Sequence, residues 1–278
     1  MQKSGRLNED SLKLLKECGI QISNGRDQLK VSAKNFPLEL LFLRNSDIPE
    51  YLVDGVADCA ILGQNVVIES GLTLKESLAL GFAKCRLSIA TPKNDDWEEL
   101  SQLAGKKIAT SYPETVSQYF KANQVEVDLH TITGSVEIAP NIGLADAIVD
   151  IVSSGSTLFK NGLEEREQIL SSEAALFSRI DLDSELEFLL DQLIFRIKAV
   201  LSAKNNKYVL LNAPNDKVAA ITSVLPGIKS PTVLPLAESG WSSIHSVISE
   251  TAFWEIIDEL KNLGAQGILV VPIEKMIA

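Results

Sequence analysis

Short apolar runs alternate with segments of helical spacing along the first part of the chain. In the helical segments, apolar residues recur every three or four positions, as at Val116, Tyr119 and Phe120. Short apolar runs are typical of buried strands, and the recurring spacing is typical of amphipathic helices. The alternation predicts a mostly parallel sheet with covering helices. The strand-like runs lie at residues 38–43, 57–62, 87–90, 106–110, 125–132 and 147–152.

Capping residues locate two of the helices. Asn8 is placed to cap a helix that ends at Gly19, and residues 1–6 before it are polar and basic, which predicts a loop. Asp47, followed by Pro49 in the first turn, predicts the start of a second helix. Asn and Asp side chains accept hydrogen bonds from the free N–H groups at a helix start, and glycine commonly ends a helix.

The pattern changes after a long amphipathic helix at residues 182–203, whose apolar stripe is core or an oligomer contact. The segments that follow predict the order β-α-β-β-α-β, which is the ferredoxin-like arrangement. A small domain of this kind attached to a catalytic body is often a sensor, although fold alone does not establish function. The segments lie at residues 208–213, 214–225, 232–237, 242–248, 251–263 and 267–273.

Composition narrows the class of protein. The chain has 278 residues, 45% of them hydrophobic, which is enough for two or three domains. Its net charge of −11 argues against a nucleic-acid surface, because that surface needs a basic footprint. Three cysteines without metal-ligand spacing and two histidines make a structural zinc site improbable. No membrane-length apolar stretch and no signal peptide are present, so we expect a cytoplasmic protein.

The strand predicted at residues 147–152 leads into a loop of hydroxyl residues and one glycine. Free backbone N–H groups and hydroxyls at such a bend can hold an anion, and Gly155 would let the backbone approach a phosphate closely. Asp146 and Asp150 are placed where carboxylates could hold a ribose diol or a metal. The alternative is a tight turn with a polar lining. The loop residues are Ser153, Ser154, Gly155, Ser156 and Thr157.

Two sets of residues carry a family resemblance. Around the loop the matching residues are Glu137, Gly143, Ala145, Ile148, Asp150, Ile151, Ser154, Gly155, Thr157 and Leu158. Elsewhere they are the segments at residues 2–7, 47–49, 85–88, 108–113, 134–137 and 230–236. In this combination the chain resembles the long form of the ATP phosphoribosyltransferases, the first enzymes of histidine biosynthesis.

The resemblance implies two periplasmic-binding-protein-like α/β lobes and a C-terminal ferredoxin-like regulatory domain. The implied domains are residues 1–85 with 164–204 for the first lobe, 86–163 for the second lobe and 205–278 for the regulatory domain. The implied reaction condenses ATP with phosphoribosyl pyrophosphate with the help of Mg²⁺, giving phosphoribosyl-ATP and pyrophosphate. Histidine would inhibit it, and the long form implies a homo-oligomer, from a dimer to a hexamer.

The resemblance also assigns roles to residues. Loop 153–157 would hold the 5′-phosphate, and Asp146 and Asp150 would orient the ribose hydroxyls or Mg²⁺. Lys3 and Arg6 would face the pyrophosphate or the triphosphate; the alternative is a solvated basic N-terminus. Further substrate contacts are expected at Arg86, at Tyr112 (stacked on adenine, or a packed turn residue) and at Glu137 (or a loop anchor). The histidine site is expected at Asn212, Ser230 and Thr232.

The chain departs from the family pattern at two places. The resemblance implies a short apolar strand before the loop of residues 1–6, and this chain begins at the loop, so poor anchoring of Lys3 and Arg6 is expected. Gln64 stands where the family pattern has a charged residue, so no catalytic part is expected for it. Two alternatives remain open, namely a two-lobed binding protein for small molecules and an inactive regulatory paralogue.

Overall fold

The computed structural model describes residues 1–23, 28–225, 227 and 230–277. Contacts between Cα atoms divide the chain into two units, one of residues 1–13 and 20–190 and the other of residues 14–19 and 191–278. The helices are α1 (Arg6–Glu17), α2 (Ile48–Val53), α3 (Gln64–Ser70), α4 (Pro113–Ala122), α5 (Ser156–Lys160), α6 (Ser184–Lys204), α7 (Val218–Val224) and α8 (Glu250–Asn262).

Within the described residues, the strands form four sheets, of two, three, four and five strands. In chain order the first seven are β1 (Lys30–Ser32), β2 (Glu39–Leu41), β3 (Cys59–Gly63), β4 (Lys75–Ala79), β5 (Cys85–Pro92), β6 (Lys107–Thr110) and β7 (Asp128–Thr131). The remaining seven are β8 (Ala147–Val152), β9 (Leu163–Ser172), β10 (Ala174–Ser178), β11 (Asn206–Pro214), β12 (Thr232–Pro235), β13 (Trp241–Ser249) and β14 (Gln266–Pro272).

The first lobe is built on the three-stranded sheet β3-β10-β4, in which both pairs are antiparallel. Leu62 and Phe177 from this sheet pack with Ile48 and Leu52 of α2 in one buried cluster. Pro49 lies in the first turn of α2, as the capping pattern predicted. Burial of this cluster is what fixes α2 on the sheet, since apolar surface removed from water stabilises the fold.

The second lobe contains the five-stranded sheet, in the order β7-β6-β8-β5-β9. β6 is parallel to β7 and β8, whereas β5 is antiparallel to both of its neighbours. Ile108 and Val149 face one apolar cluster, and Ala109 and Ile148 face another, so both sides of the sheet centre are buried. The prediction of a mostly parallel sheet holds for β6, β7 and β8 and is wrong for the antiparallel sheet of the first lobe and for β5 and β9. Strands β5 and β9 are antiparallel because they lead from one lobe to the other without a crossover helix.

Strand β9 also changes one expected boundary. Residues 164–172 were expected in the first lobe, but β9 pairs with β5 along its length and extends the sheet of the second lobe. The chain returns to the first lobe at Glu173, between β9 and β10. The segment is rich in Glu, Arg and Gln, so it lacks the apolar run by which the other strands were predicted.

The N-terminal residues are held by hydrogen bonds to the segment after β2. Leu43 donates its N–H to the carbonyl of Met1 at 3.1 Å and accepts the N–H of Lys3 at 2.8 Å. The expectation of a poorly anchored start is therefore wrong. Helix α1 also begins at Arg6 rather than after Asn8, and the Asn8 amide donates to the Gln2 carbonyl at 2.7 Å instead of capping a helix.

The second unit contains the ferredoxin-like fold that the segment order predicted. Its antiparallel sheet has the strand order β12-β13-β11-β14. Val209 and Ile244 from the sheet pack with Phe253 and Leu260 of α8 in a buried core. Among the residues that the structure describes, none of the helices combines the length and apolar character needed to cross a membrane.

Candidate active site

Two parallel strands of the second lobe end side by side. Thr110 at the end of β6 is paired with Val149 of β8. From β6 the chain passes through α4 to β7 on one side, whereas β8 lies on the other side of β6. In open α/β sheets, ligands bind at such a reversal, outside the carboxyl ends of the strands. Residues 111–112 after β6 and loop 153–157 after β8 therefore flank one crevice.

Loop 153–157 is open to solvent. Its serines and threonine are exposed, and the Ser154 and Ser156 hydroxyl oxygens lie 3.0 Å apart. Gly155 has a φ of +75°, in the left-handed region that a residue without Cβ adopts at little cost. Helix α5 has only five residues, so its summed dipole is small. An anion here would be held mainly by the backbone N–H groups and the hydroxyls.

An ion pair between Arg86 and Glu165 supports the start of this loop. The Arg86 guanidinium donates two hydrogen bonds to the Glu165 carboxylate and one to the Ser153 carbonyl, at 3.2 Å in the last case. Ser88 donates to the same carboxylate at 2.8 Å. The hydrogen bonds from Arg86 lower the pKa of Glu165. Arg86 is thus engaged by the protein, which favours a supporting position over the expected contact with substrate.

Asp150 brings a half-buried carboxylate to the end of β8. One of its oxygens accepts the N–H of Ile151 at 2.8 Å. Burial raises the pKa of Asp150, and the negative charge of Glu137 raises it further. Glu137 is half-buried in a short 3-10 helix, Val136–Ile138. The two carboxylates that the sequence assigned to the site therefore interact electrostatically, and both are hydrogen-bond acceptors for hydroxyls.

The Tyr112 ring faces the apolar core, and the Tyr112 hydroxyl group faces Asn65. The ring packs against the apolar cluster that contains Val116 and Phe120, and the residue as a whole is half-buried. The hydroxyl oxygen accepts a hydrogen bond from Asn65 at 3.4 Å. Burial raises the pKa of Tyr112, and the charge of Asp150 adds to the shift, so the phenol stays neutral. This packing favours the interpretation of Tyr112 as a packed turn residue over stacking on adenine.

Of three other expected site residues, one lies far from loop 153–157 and two are exposed side chains near the start of the chain. Asp146 precedes β8, and at about 3.3 Å per residue it is roughly 20 Å from the loop at the other end of the strand. Its carboxylate accepts the N–H of Lys107 at 2.8 Å, and it lines a separate cavity of about 820 Å³. Lys3 and Arg6 are exposed, and no hydrogen bond or ion pair within the described residues joins their side chains to the loop.

Comparison with known proteins distinguishes the enzyme from the alternatives. A family model described as ATP phosphoribosyltransferase matches residues 44–199, and a model of the HisG C-terminal domain matches residues 203–275. An ATP phosphoribosyltransferase of Cytophaga hutchinsonii is 55% identical over 277 residues, which is 100% of this chain and 97% of that protein. The chain belongs to the ATP phosphoribosyltransferase family.

Other members of the ATP phosphoribosyltransferase family agree over the whole length. The Bacteroides fragilis protein is 53% identical over 277 residues, covering 100% of this chain and 98% of its own. A solved ATP phosphoribosyl transferase (HisG:HisZ) complex from Thermotoga maritima has a TM-score of 0.61 and 29% identity, covering 70% of this chain and 96% of that chain. Membership confirms the prediction of a transferase of histidine biosynthesis, and no comparison favours a binding protein or an inactive paralogue.

The residues expected at the histidine site lie on or next to the regulatory sheet. Asn212 is paired with Ser243, and Thr232 is paired with His245. Both pairs involve β13, so Asn212 and Thr232 lie on strands either side of it, roughly 10 Å apart across the sheet. Ser230 is exposed just before β12.

Sequence reasoning missed three polar residues that support the site. Asn65 is 6% exposed and bonds to Tyr112, Glu69 accepts hydrogen bonds from the start of α4, and Glu165 holds Arg86. Asn65 carries a usable signal, because an Asn directly after a predicted buried strand is a common position for a site residue. Glu69 and Glu165 resemble surface carboxylates in the sequence, since their partners are distant in the chain.

Proposed function

We propose that this chain joins ATP to phosphoribosyl pyrophosphate and releases phosphoribosyl-ATP and pyrophosphate. The observation that supports the proposal most is the open hydroxyl loop, residues 153–157, directly after a strand that carries the half-buried Asp150. An exposed loop of this kind fits a sugar phosphate, and a neighbouring carboxylate fits the ribose hydroxyls. Family membership supplies the identity of the two substrates.

The chemistry requires little covalent help from the protein. Adenine N1 attacks C1 of the ribose with its lone pair, and the bond from C1 to the pyrophosphate oxygen breaks with its electrons. Positive charge develops on the ribose ring as the bond breaks. Catalysis of such a step comes mainly from holding the two reactants in line and from stabilising the developing charge.

Each residue then has a role that its position supports. The loop holds the 5′-phosphate through N–H groups and hydroxyls. Asp150 accepts hydrogen bonds from ribose hydroxyls and places negative charge near the ring, with Glu137 beside it. Lys3 and Arg6 keep exposed cationic groups for the pyrophosphate or triphosphate. Asp146 is left out of the reaction, because it lies at the far end of β8.

The carboxylates fit a Mg²⁺ ion that arrives with the substrate. Within the described residues, no group of three or more His, Cys, Asp or Glu side chains is arranged as a metal cage. Mg²⁺ commonly binds through substrate phosphates and one or two carboxylates, and the Asp150–Glu137 pair can provide these. When bound, the ion would shield the charge of the departing pyrophosphate.

Regulation and assembly are proposed on the resemblance together with the C-terminal fold. The ferredoxin-like domain would bind histidine through Asn212, Ser230 and Thr232 and inhibit the reaction. Because Ser230 is exposed and Asn212 and Thr232 lie on strands either side of β13, a second subunit of a homo-oligomer would complete the site. The proposed setting is the cytoplasm, and the proposed lobes keep their expected bounds except for β9.

A continuous absorbance assay of phosphoribosyl-ATP formation tests the reaction. Product is expected only when ATP, phosphoribosyl pyrophosphate and Mg²⁺ are all present, and chelation with EDTA should stop it. In parallel, the melting temperature is measured with phosphoribosyl pyrophosphate plus Mg²⁺ and with a panel of amino acids. No product from a folded chain, together with a melting shift by amino acids alone, would show a binding protein instead.

A further inference from the structure

Helix α3 is fixed to the point where the chain crosses between the lobes. The N–H of Gln64 donates to the Glu173 carbonyl at 3.1 Å, and the Gln64 side-chain oxygen accepts the Glu173 N–H at 3.1 Å. Next to it, Asn65 donates its N–H to the Ser172 hydroxyl at 3.0 Å and accepts from that hydroxyl at 2.9 Å. Ser172 ends β9 of the second lobe, so the amino end of α3 lies on the crossover.

The same helix reaches across to α4 through Glu69. Its carboxylate accepts the N–H of Glu114 at 3.0 Å, the N–H of Thr115 at 2.9 Å and the hydroxyl of Thr115 at 2.7 Å. These N–H groups belong to the first turn of α4, where they have no partner within the helix. Tyr112, the residue at the N-cap of α4, supplies no side-chain cap. A carboxylate of the first lobe therefore completes a helix of the second.

Asn65 adds a second contact on the same face of α3. It lies one turn before Glu69, and side chains four positions apart on a helix are neighbours. Its amide donates to the Tyr112 hydroxyl oxygen, so that the phenol proton remains available to another acceptor. Asp150 acts electrostatically on this same hydroxyl. The contact therefore links the first lobe to a hydroxyl group at the crevice.

We propose that Asn65 and Glu69 form an interlobe clasp, a set of hydrogen bonds from α3 to Tyr112 and to the first turn of α4, which holds the two lobes closed. These hydrogen bonds exist only while α3 and α4 are together, so the clasp stabilises the closed arrangement over an open one. Asn65 and Glu69 are positioning residues, because they act through Tyr112 and α4. The inference rests on the proposed function, since it makes closure a condition for binding both substrates.

A clasp of this kind has a kinetic signature. When only the closed form binds substrate, the apparent dissociation constant is the intrinsic one divided by the closed fraction. Weakening the clasp should therefore raise KM for ATP and for phosphoribosyl pyrophosphate by a common factor, while kcat at saturation stays near the wild-type value. A residue that only stabilised the fold would lower the melting temperature and the active fraction and leave KM unchanged.

The experiment compares the full chain with Glu69→Ala, Glu69→Gln and Thr115→Val, the last of which removes one donor and keeps the side-chain shape. Glu76→Gln is the matched control, because Glu76 accepts from Gln64 at 3.1 Å within the first lobe only. Hydrogen–deuterium exchange at the Glu114 and Thr115 amides is measured without substrates. KM is then measured for each substrate.

Glu69→Ala is expected to speed exchange at both amides and to raise both KM values by one common factor, with an upper bound of about tenfold for each 1.4 kcal/mol by which the closed form is weakened. Glu69→Gln and Thr115→Val should give smaller changes in the same direction, and Glu76→Gln none. Unchanged exchange, or faster exchange with unchanged or lower KM values, would overturn the clasp. If the wild-type chain makes no product, the proposed function fails, but exchange at α4 with and without phosphoribosyl pyrophosphate plus Mg²⁺ still tests the clasp.

Discussion

Asp150→Asn exchanges one carboxylate oxygen for an amide nitrogen with almost no change in size. In the wild-type chain one oxygen of Asp150 is occupied by the N–H of Ile151, and no other hydrogen bond to it is present in the described residues. One oxygen therefore remains for a ribose hydroxyl. A hydrogen bond to a charged group contributes about 1.5–3 kcal/mol, so its loss should lower kcat/KM about 10- to 150-fold.

Although Asp150→Asn should lower activity, it should increase the stability of the fold at neutral pH. Burial and Glu137 raise the pKa of Asp150 in the folded state, so the folded chain holds this proton more tightly than the unfolded chain does. Stability from this group is present at low pH and is lost as the pH rises from the unfolded pKa, about 3.9, through the raised folded value. At neutral pH the buried charge destabilises the fold, and Asp150→Asn should raise the melting temperature.

Two measurements together test the part of Asp150 in the reaction and its effect on stability. The first is the pH profile of kcat/KM, in which the wild-type acidic limb should lie above the ordinary pKa of Asp and should disappear in Asp150→Asn. The second is calorimetry of both chains at neutral and at acidic pH. Turnover near the wild-type level in a folded Asp150→Asn chain would refute the assignment of Asp150 to the site. A lower melting temperature at neutral pH would refute the electrostatic reasoning.

Three further substitutions test the surroundings of this carboxylate. Gly155→Ala places a Cβ where no atom lies within 4 Å, so only the positive φ opposes it; calorimetry should show a loss of about 1–2 kcal/mol, and titration should show weaker binding of phosphoribosyl pyrophosphate. Tyr112→Phe keeps the packed ring and removes the hydroxyl, so kcat/KM should fall roughly 2- to 12-fold in the product assay, and the melting temperature should fall as well because the buried Asn65 amide loses its acceptor. Glu165→Ala removes the carboxylate that holds Arg86 against the Ser153 carbonyl, so KM for phosphoribosyl pyrophosphate should rise roughly three- to tenfold. An unchanged KM would show that the Arg86–Glu165 pair does not shape the loop.

The sequence by itself determined the features that depend on neighbouring residues. The apolar run of β8, the hydroxyl loop with Gly155 after it and the βαββαβ order of the C-terminal unit were all predicted, because strand pattern and turn chemistry act over a few positions. The same pattern assigned both Asp146 and Asp150 to the site, whereas the strand that separates them puts only Asp150 near the loop.

Only the tertiary structure decided which distant residues meet. Arg86 and Glu165 are 79 positions apart, Glu69 and Thr115 are 46 apart, and Asn65 and Ser172 are 107 apart. Such contacts follow from strand register and from the direction in which each side chain points, and neither is written in a local pattern. For the same reason the sequence left open whether Tyr112 stacks on adenine or packs in a turn, and the structure shows its ring packed against the apolar cluster and its hydroxyl group bonded to Asn65.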